Sequence, residues 1–131
     1  MSARHRIAVV DDDYSVRKAL CRLLRSFDIE ADAYESGKEF LEALRSTLPD
    51  CLILDLRMPD MTGLELQRRL ADAGVRLPTV VITGHDEPGM QSKCLAAGAG
   101  TYLRKPLDEK ALLRAIEDAI AAMAAGCGKQ P

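Results

Sequence analysis

Cys51-Leu52-Ile53-Leu54-Asp55-Leu56-Arg57-Met58-Pro59-Asp60-Met61-Thr62-Gly63 decides how this chain folds. Four apolar residues run into a carboxylate, and a Pro, an Asp and a Gly follow. A short apolar run bounded by turn residues fits a strand buried on both faces. Asp55 then stands at the carboxyl end of that strand, where open α/β sheets bind their ligands. A carboxylate there is costly to bury alone, so it must be solvated, paired or metal-bound. That makes Asp55 the candidate working residue.

The same grammar repeats on both sides. Arg6-Ile7-Ala8-Val9-Val10 is a β-branched run ending in Asp11-Asp12-Asp13. Helical periodicity follows, with Val16, Ala19, Leu20, Leu23, Leu24 and Phe27 as one apolar stripe and Asp13 as its N-cap. A second strand is expected at about Glu30 to Tyr34. Ser36-Gly37-Lys38-Glu39 then reads as a capping box opening a helix that buries Phe40, Leu41 and Leu44. After Asp55, Thr62-Gly63-Leu64-Glu65 is a second capping box, leading through Leu66 and Leu70 to Gly74 as a C′ residue. Pro78-Thr79-Val80-Val81-Ile82-Thr83 is the fourth strand, ended by Gly84. A weaker helix is expected over about 87–97, with Pro88 in its first turn; the polar segment Gln91-Ser92-Lys93 leaves it a poor apolar stripe. Thr101-Tyr102-Leu103-Arg104 is the fifth strand, ending at Lys105-Pro106. Asp108 caps a last helix carrying Leu112, Ala115, Ile116, Ala119, Ile120 and Met123. Gly126-Cys127-Gly128-Lys129-Gln130-Pro131 is expected to break that helix and form a tail or linker start, leaving residues 1–125 as one domain.

Five strands alternating with five helices imply an α/β fold: a doubly wound five-stranded parallel sheet with helices on both faces. For that count the expected strand order is 2-1-3-4-5, whose switch point lies between strands 1 and 3. Those two strands end in Asp11-Asp12 and Asp55, so topology and chemistry meet at one crevice.

Composition narrows the function classes. A chain of 131 residues with net charge −2 has no global charge bias toward nucleic acid or an anionic membrane. No apolar run approaches the roughly 20 residues of a membrane-spanning helix, and the start lacks the apolar core of a signal peptide. Cys21, Cys51, Cys94 and Cys127 are scattered, without Cys-x-x-Cys spacing, and read as reduced thiols of a cytoplasmic protein.

Several carboxylates at one sheet edge repel one another and raise each other's pKa values. A hard divalent cation resolves this, and carboxylate plus water ligation suits Mg²⁺. Lys105 adds a fixed positive charge at the end of strand 5, and Thr83 a hydroxyl at the end of strand 4. A ligating or nucleophilic carboxylate, a metal site, a cation and a hydroxyl donor are what a phosphoryl group requires.

These residues closely resemble the receiver domain of two-component response regulators, a flavodoxin/CheY-like fold. The matching features are Asp11-Asp12 after a strand, Asp55 with Met58-Pro59 and Gly63, Thr83-Gly84, and Tyr102-x-x-Lys105-Pro106. The likeness covers about residues 6–122, and the wording Asp55-Leu56-Arg57-Met58-Pro59 with Thr83-Gly84-His85 is most similar to FixJ/NarL-type receivers. The resemblance implies a bacterial signalling switch rather than an enzyme. Asp55 would accept a phosphoryl group from a sensor histidine kinase. Asp12, Asp55 and the backbone carbonyl of Arg57 would bind Mg²⁺, with Asp11 acting largely through water. Lys105 would pair with Asp55 and then with the phosphoryl group. Thr83 and Tyr102 would be the switch pair, Tyr102 swinging inward behind Thr83. Gly84 would leave room for the phosphoryl group, and Lys105-Pro106 would be cis. The output would pass through the fourth helix, fifth strand and fifth helix to an effector controlling transcription, with a homodimer through the same face. No direct nucleic-acid binding by this domain is implied.

Plainer roles compete for some residues. Asp13 reads as a helix cap, Asp60 as a loop residue and His5 as an exposed terminal residue. Arg57 and His85 flank the expected water path to the phosphoryl group, where their bulk would slow its hydrolysis. A Mg²⁺-dependent aspartyl phosphatase would need a second Asp as general acid and a lid, and the segment 54–63 offers only Asp60. A flavin-binding relative would need a hydroxyl- and glycine-rich phosphate loop after strand 1, where this chain is acidic.

Overall fold

The computed structural model describes residues 5–128, the last three of them only as helix backbone. The elements alternate as β1 (Arg6–Val10), α1 (Tyr14–Ser26), β2 (Glu30–Tyr34), α2 (Gly37–Ala43), β3 (Cys51–Asp55), α3 (Gly63–Asp72), β4 (Thr79–Thr83), α4 (Met90–Ala96), β5 (Thr101–Arg104) and α5 (Glu109–Gly128). All ladders are parallel and the strand order is β2-β1-β3-β4-β5, as the alternation of elements requires.

Side-chain alternation along the central strands builds two cores. Ile7, Val9, Cys51, Ile53, Val80 and Ile82 face α1 and α5, where they meet Leu20, Leu24, Leu112 and Ile116. Ala8, Val10, Leu52 and Leu54 face the other way, onto Phe40 of α2 and Leu66 and Leu70 of α3. Val81 and Tyr102 extend that second face toward α4, packing with Leu56, Leu64 and Cys94. Strands β3 and β4 are buried along their whole length, which is why they read as unbroken apolar runs.

The caps follow the local chemistry. Asp13 accepts N–H bonds from Ser15 (2.8 Å) and Val16 (3.4 Å), and Asp108 accepts one from Ala111 (2.9 Å). Thr62 and Glu65 form a reciprocal capping box. At α2 the box opens by one residue: Ser36 accepts from Glu39, but the Glu39 carboxylate accepts from the Glu35 N–H.

Three expectations are corrected. Phe27 does not join the α1 stripe; it is the C-cap residue, 53% exposed, and Cys21 is buried in the helix instead. The fourth helix begins at Met90 rather than near 87, because Gly89 at φ 81° is its N-cap residue and leaves Pro88 in the preceding turn. Helix α5 runs through Gly126 to Gly128, where a break was expected. A late Gly costs only about 1 kcal/mol, which the alanine-rich segment before it offsets. Residues 129–131 of the expected tail lie outside the described residues. Among the described residues no helix is long and apolar enough to cross a membrane. Cys21, Cys51 and Cys94 are free and buried.

Candidate functional site

The ends of β1 and β3 bring Asp11, Asp12 and Asp55 together, with one oxygen of each within 4.8 Å of the others. Asp11 is fully buried and Asp55 is 4% exposed, whereas Asp12 faces solvent. Both Asp11 oxygens are engaged: Oδ1 accepts from the Asp13 N–H (2.9 Å) and Oδ2 from Lys105 Nζ (3.0 Å). The same ammonium donates to Asp55 Oδ1 at 3.3 Å. Lys105 therefore bridges both buried carboxylates, and its shorter bond goes to Asp11 rather than to Asp55. Three carboxylates against one lysine leave the crevice short of positive charge. Their all-oxygen donor set, with one solvent-facing member, fits a hard divalent cation that keeps several waters.

The electrostatics agree. Burial, then the Asp11 charge, pushes the Asp55 carboxyl up to about 6 against the pull of Lys105. Burial alone would lower the Lys105 ammonium, but its bond to Asp11 and the nearby carboxylates carry it above its usual value. Between the ordinary carboxyl pKa and about 6 the folded metal-free chain binds more proton than the unfolded chain. Asp55 therefore costs stability as pH rises through that window. Urea unfolding in chelator should show Asp55→Asn gaining on the wild type by on the order of 2 kcal/mol between pH 4 and pH 7. A constant difference across that range would refute the assignment.

The loops around the crevice are held by backbone contacts. Gly63 N–H donates to Leu56 O (2.9 Å), and Met61 N–H to Pro59 O (2.7 Å) across Asp60, which sits at φ 68°. Asp60 is exposed, in keeping with a turn residue. Thr83 is almost fully buried, and its hydroxyl is already committed: it accepts from the His85 N–H (3.0 Å) and donates to His85 O (3.1 Å). Gly84 is exposed, and a Cβ there would make ordinary contact with Lys105 Cδ at 3.6 Å, so packing does not demand glycine. The Lys105-Pro106 peptide is cis. Arg57 and His85 are both exposed.

Tyr102 stands beside Val81 in the β4–β5 ladder and is already buried, at 8% exposure. Its hydroxyl donates to Asp86 Oδ1 at 2.7 Å, and Arg104 Nε donates to Asp86 Oδ2 at 2.8 Å. The Tyr102 bond holds the Asp86 carboxyl below its ordinary range, while burial and Asp86 push the phenol up to about 12. With the ring inside, what Tyr102 can still change is the partner of its hydroxyl.

Two contributors escape a reading of the sequence. Arg17 Nη1 donates to the Asp11 carbonyl at 2.8 Å, fixing the turn that carries the acidic pair. Its spacing of six residues from Asp11 is a weak signal among many charged helix residues. Asp86 reads as a turn residue, and its partners stand 16 and 18 positions away.

The site is an acidic crevice closed by one lysine at the switch point of a doubly wound parallel sheet, the place where that class of α/β domain binds its ligands. The family model of the response regulator receiver domain matches residues 7–117, and the chain belongs to that family. It is 41% identical over 114 residues to the response regulator protein TmoT of Ectopseudomonas mendocina, covering 87% of this chain and 52% of TmoT. It is 36% identical over 113 residues to the transcriptional regulatory protein FixJ of Rhizobium meliloti, covering 86% of this chain and 55% of FixJ. The solved structure of the response regulator StyR superposes with a TM-score of 0.87 at 41% identity, over 96% of this chain and 64% of that one. The chain thus spans about half the length of the curated relatives it matches. It is a receiver domain of two-component response regulators, in a family that uses Mg²⁺ at an acidic pocket and is phosphorylated by sensor kinases.

Proposed function

We propose that this domain is a phosphorylation-dependent switch in which Asp55 is the phosphoacceptor. The observation that carries the reading is the geometry of Asp55: a nearly buried carboxylate at a strand end, sharing one lysine with Asp11. Burial and the Asp11 charge push its carboxyl up to about 6, which still leaves it largely ionised and nucleophilic at neutral pH. An Asp55 oxygen attacks the phosphorus of a kinase phosphohistidine; the P–N bond breaks, a P–O bond forms, and the acceptor becomes an acyl phosphate.

Asp12, Asp55 and the Arg57 carbonyl are the residues that would hold Mg²⁺. Asp11 acts from the second layer, which its two existing bonds support. The ion, when bound, supplies charge neutralisation for the phosphoryl oxygens. Lys105 exchanges its carboxylate contact for a phosphoryl oxygen. Thr83 leaves His85 to donate a hydrogen bond to the same group, and Tyr102 follows through its hydroxyl. These changes bias the α4–β5–α5 face between two arrangements.

The kinase partner is a sensor histidine kinase, and the output is transcriptional control through an effector. We assign the domain to residues 1–125 and place it in the cytoplasm, where three buried free thiols stay reduced. A homodimer of the phosphorylated form is proposed through α4–β5–α5, where Lys110, Arg114, Glu117 and Asp118 are exposed charges of both signs.

Incubation with acetyl phosphate and Mg²⁺, followed by intact-mass measurement, is expected to add one phosphoryl group. Asp55→Asn should add none, and labelling that persists in that variant would overturn the assignment.

A further inference from the structure

We propose that Asp86 is a positioning residue that holds Thr83 in its resting arrangement by stapling the β4–α4 loop to β5. The inference rests on the phosphoacceptor reading of Asp55. Both oxygens of the Asp86 carboxylate are used, one by the Tyr102 hydroxyl at 2.7 Å and the other by Arg104 Nε at 2.8 Å. Tyr102 and Arg104 are alternate residues of β5 and so share one face of the strand. One carboxylate therefore grips two points on the strand.

The loop that Asp86 anchors is the one that occupies Thr83. The Thr83 hydroxyl accepts from the His85 N–H and donates to His85 O, and Asp86 is the next residue. Donating to a phosphoryl group on Asp55 requires Thr83 to give up its bond to the His85 carbonyl. That move displaces residues 84–86, and the staple resists it. The backbone on either side is fixed independently: Lys105 N–H donates to Thr83 O at 2.7 Å, and Thr83 pairs with Arg104 in the ladder. Motion is thereby confined to the short segment between Thr83 and the start of α4. A residue that binds only the resting arrangement lowers the population of the other, by the fraction its contacts are worth.

The consequence is an unusual sign. Losing a contact usually harms a site, but losing this one should speed phosphoryl uptake. Asp86→Ala is expected to phosphorylate from acetyl phosphate and Mg²⁺ roughly two- to tenfold faster than wild type, the scale of a partly exposed charged pair. Asp86→Glu, which keeps a carboxylate within reach of both partners, should return toward the wild-type rate. Arg104→Ala should give a smaller gain in the same direction. A purely structural role would leave the rate unchanged or lower it.

A second measurement is independent of phosphorylation. Amide hydrogen exchange of His85, followed by NMR without donor or metal, should quicken in Asp86→Ala by a similar factor, because its acceptor Thr83 is no longer held. Unchanged His85 exchange, or an Asp86→Ala rate at or below wild type, overturns the proposal. If the wild type takes up no phosphoryl group, the phosphoacceptor reading fails, and the staple is then judged by His85 exchange alone.

Discussion

Lys105→Met is expected to slow phosphoryl uptake at Asp55 by about two to three orders of magnitude, the usual loss when one preorganised charge is removed from a reacting centre. The variant keeps most of the side chain's volume and deletes only the ammonium that reaches Asp11 at 3.0 Å and Asp55 at 3.3 Å. Removing it leaves a fully buried and a nearly buried carboxylate facing each other. Breaking one side of such a pairing costs about 3–5 kcal/mol in the fold. The Asp55 carboxyl, already raised by burial and by Asp11, should rise further, so more of it is protonated and inert at neutral pH. Added Mg²⁺ should recover part of the lost stability by supplying positive charge to the same carboxylates. Thermal melts with and without Mg²⁺, beside intact-mass kinetics, separate these effects. A variant that takes up phosphoryl at the wild-type rate would remove Lys105 from the mechanism.

Gly63→Val should be as damaging, and for a reason of space. A Cβ at residue 63 would lie 2.5 Å from the Asp55 carbonyl oxygen and 3.0 Å from Leu56 Cα. Both are backbone atoms and cannot rotate away, so α3 must back off from the end of β3. A forced shift of that kind costs about 2–4 kcal/mol. The displaced atom belongs to Asp55, the proposed phosphoacceptor, so phosphorylation should fall along with the midpoint of urea unfolding. Gly74→Ala is the matched control. Gly74 sits at φ 75° with nothing within 4 Å of an added Cβ, so only the backbone penalty of about 1 kcal/mol applies, far from the crevice. Equal phosphorylation by both variants would show that the α3–β3 contact does not govern the site.

The strands and the crevice were legible because they obey short-range rules. Four runs rich in apolar or β-branched residues, each closed by Asp, Thr or Lys, suffice to place Asp11, Asp55, Thr83 and Lys105 along one edge of a parallel sheet. What stayed hidden depends on contacts between distant residues. Phe27 fits a helical period, yet the chain turns at that residue and no partner element covers it. The acceptor chosen by Lys105 is a matter of fractions of an ångström, with 94 positions separating it from Asp11 and 50 from Asp55. Asp86 looks like any acidic turn residue until β5 is laid beside it. The ends of α4 and α5 misled for a different reason. Pro88 and Gly126 are conventional punctuation, but the left-handed Gly89 set the first boundary and continuing helical hydrogen bonding the second.

Helix α4 has seven residues, no side-chain cap at its start and only Cys94 buried. Its side-chain tie to a neighbour is the Gln67 amide, which donates to the Cys94 carbonyl at 3.1 Å. Local opening free energy is set by what a segment buries and caps. By that measure α4 is a separate, shallow cooperative unit on a deep one. A sparsely anchored helix thus lies on the face proposed for the output, and a partner that orders α4 is expected to be answered by the crevice through β4 and β5.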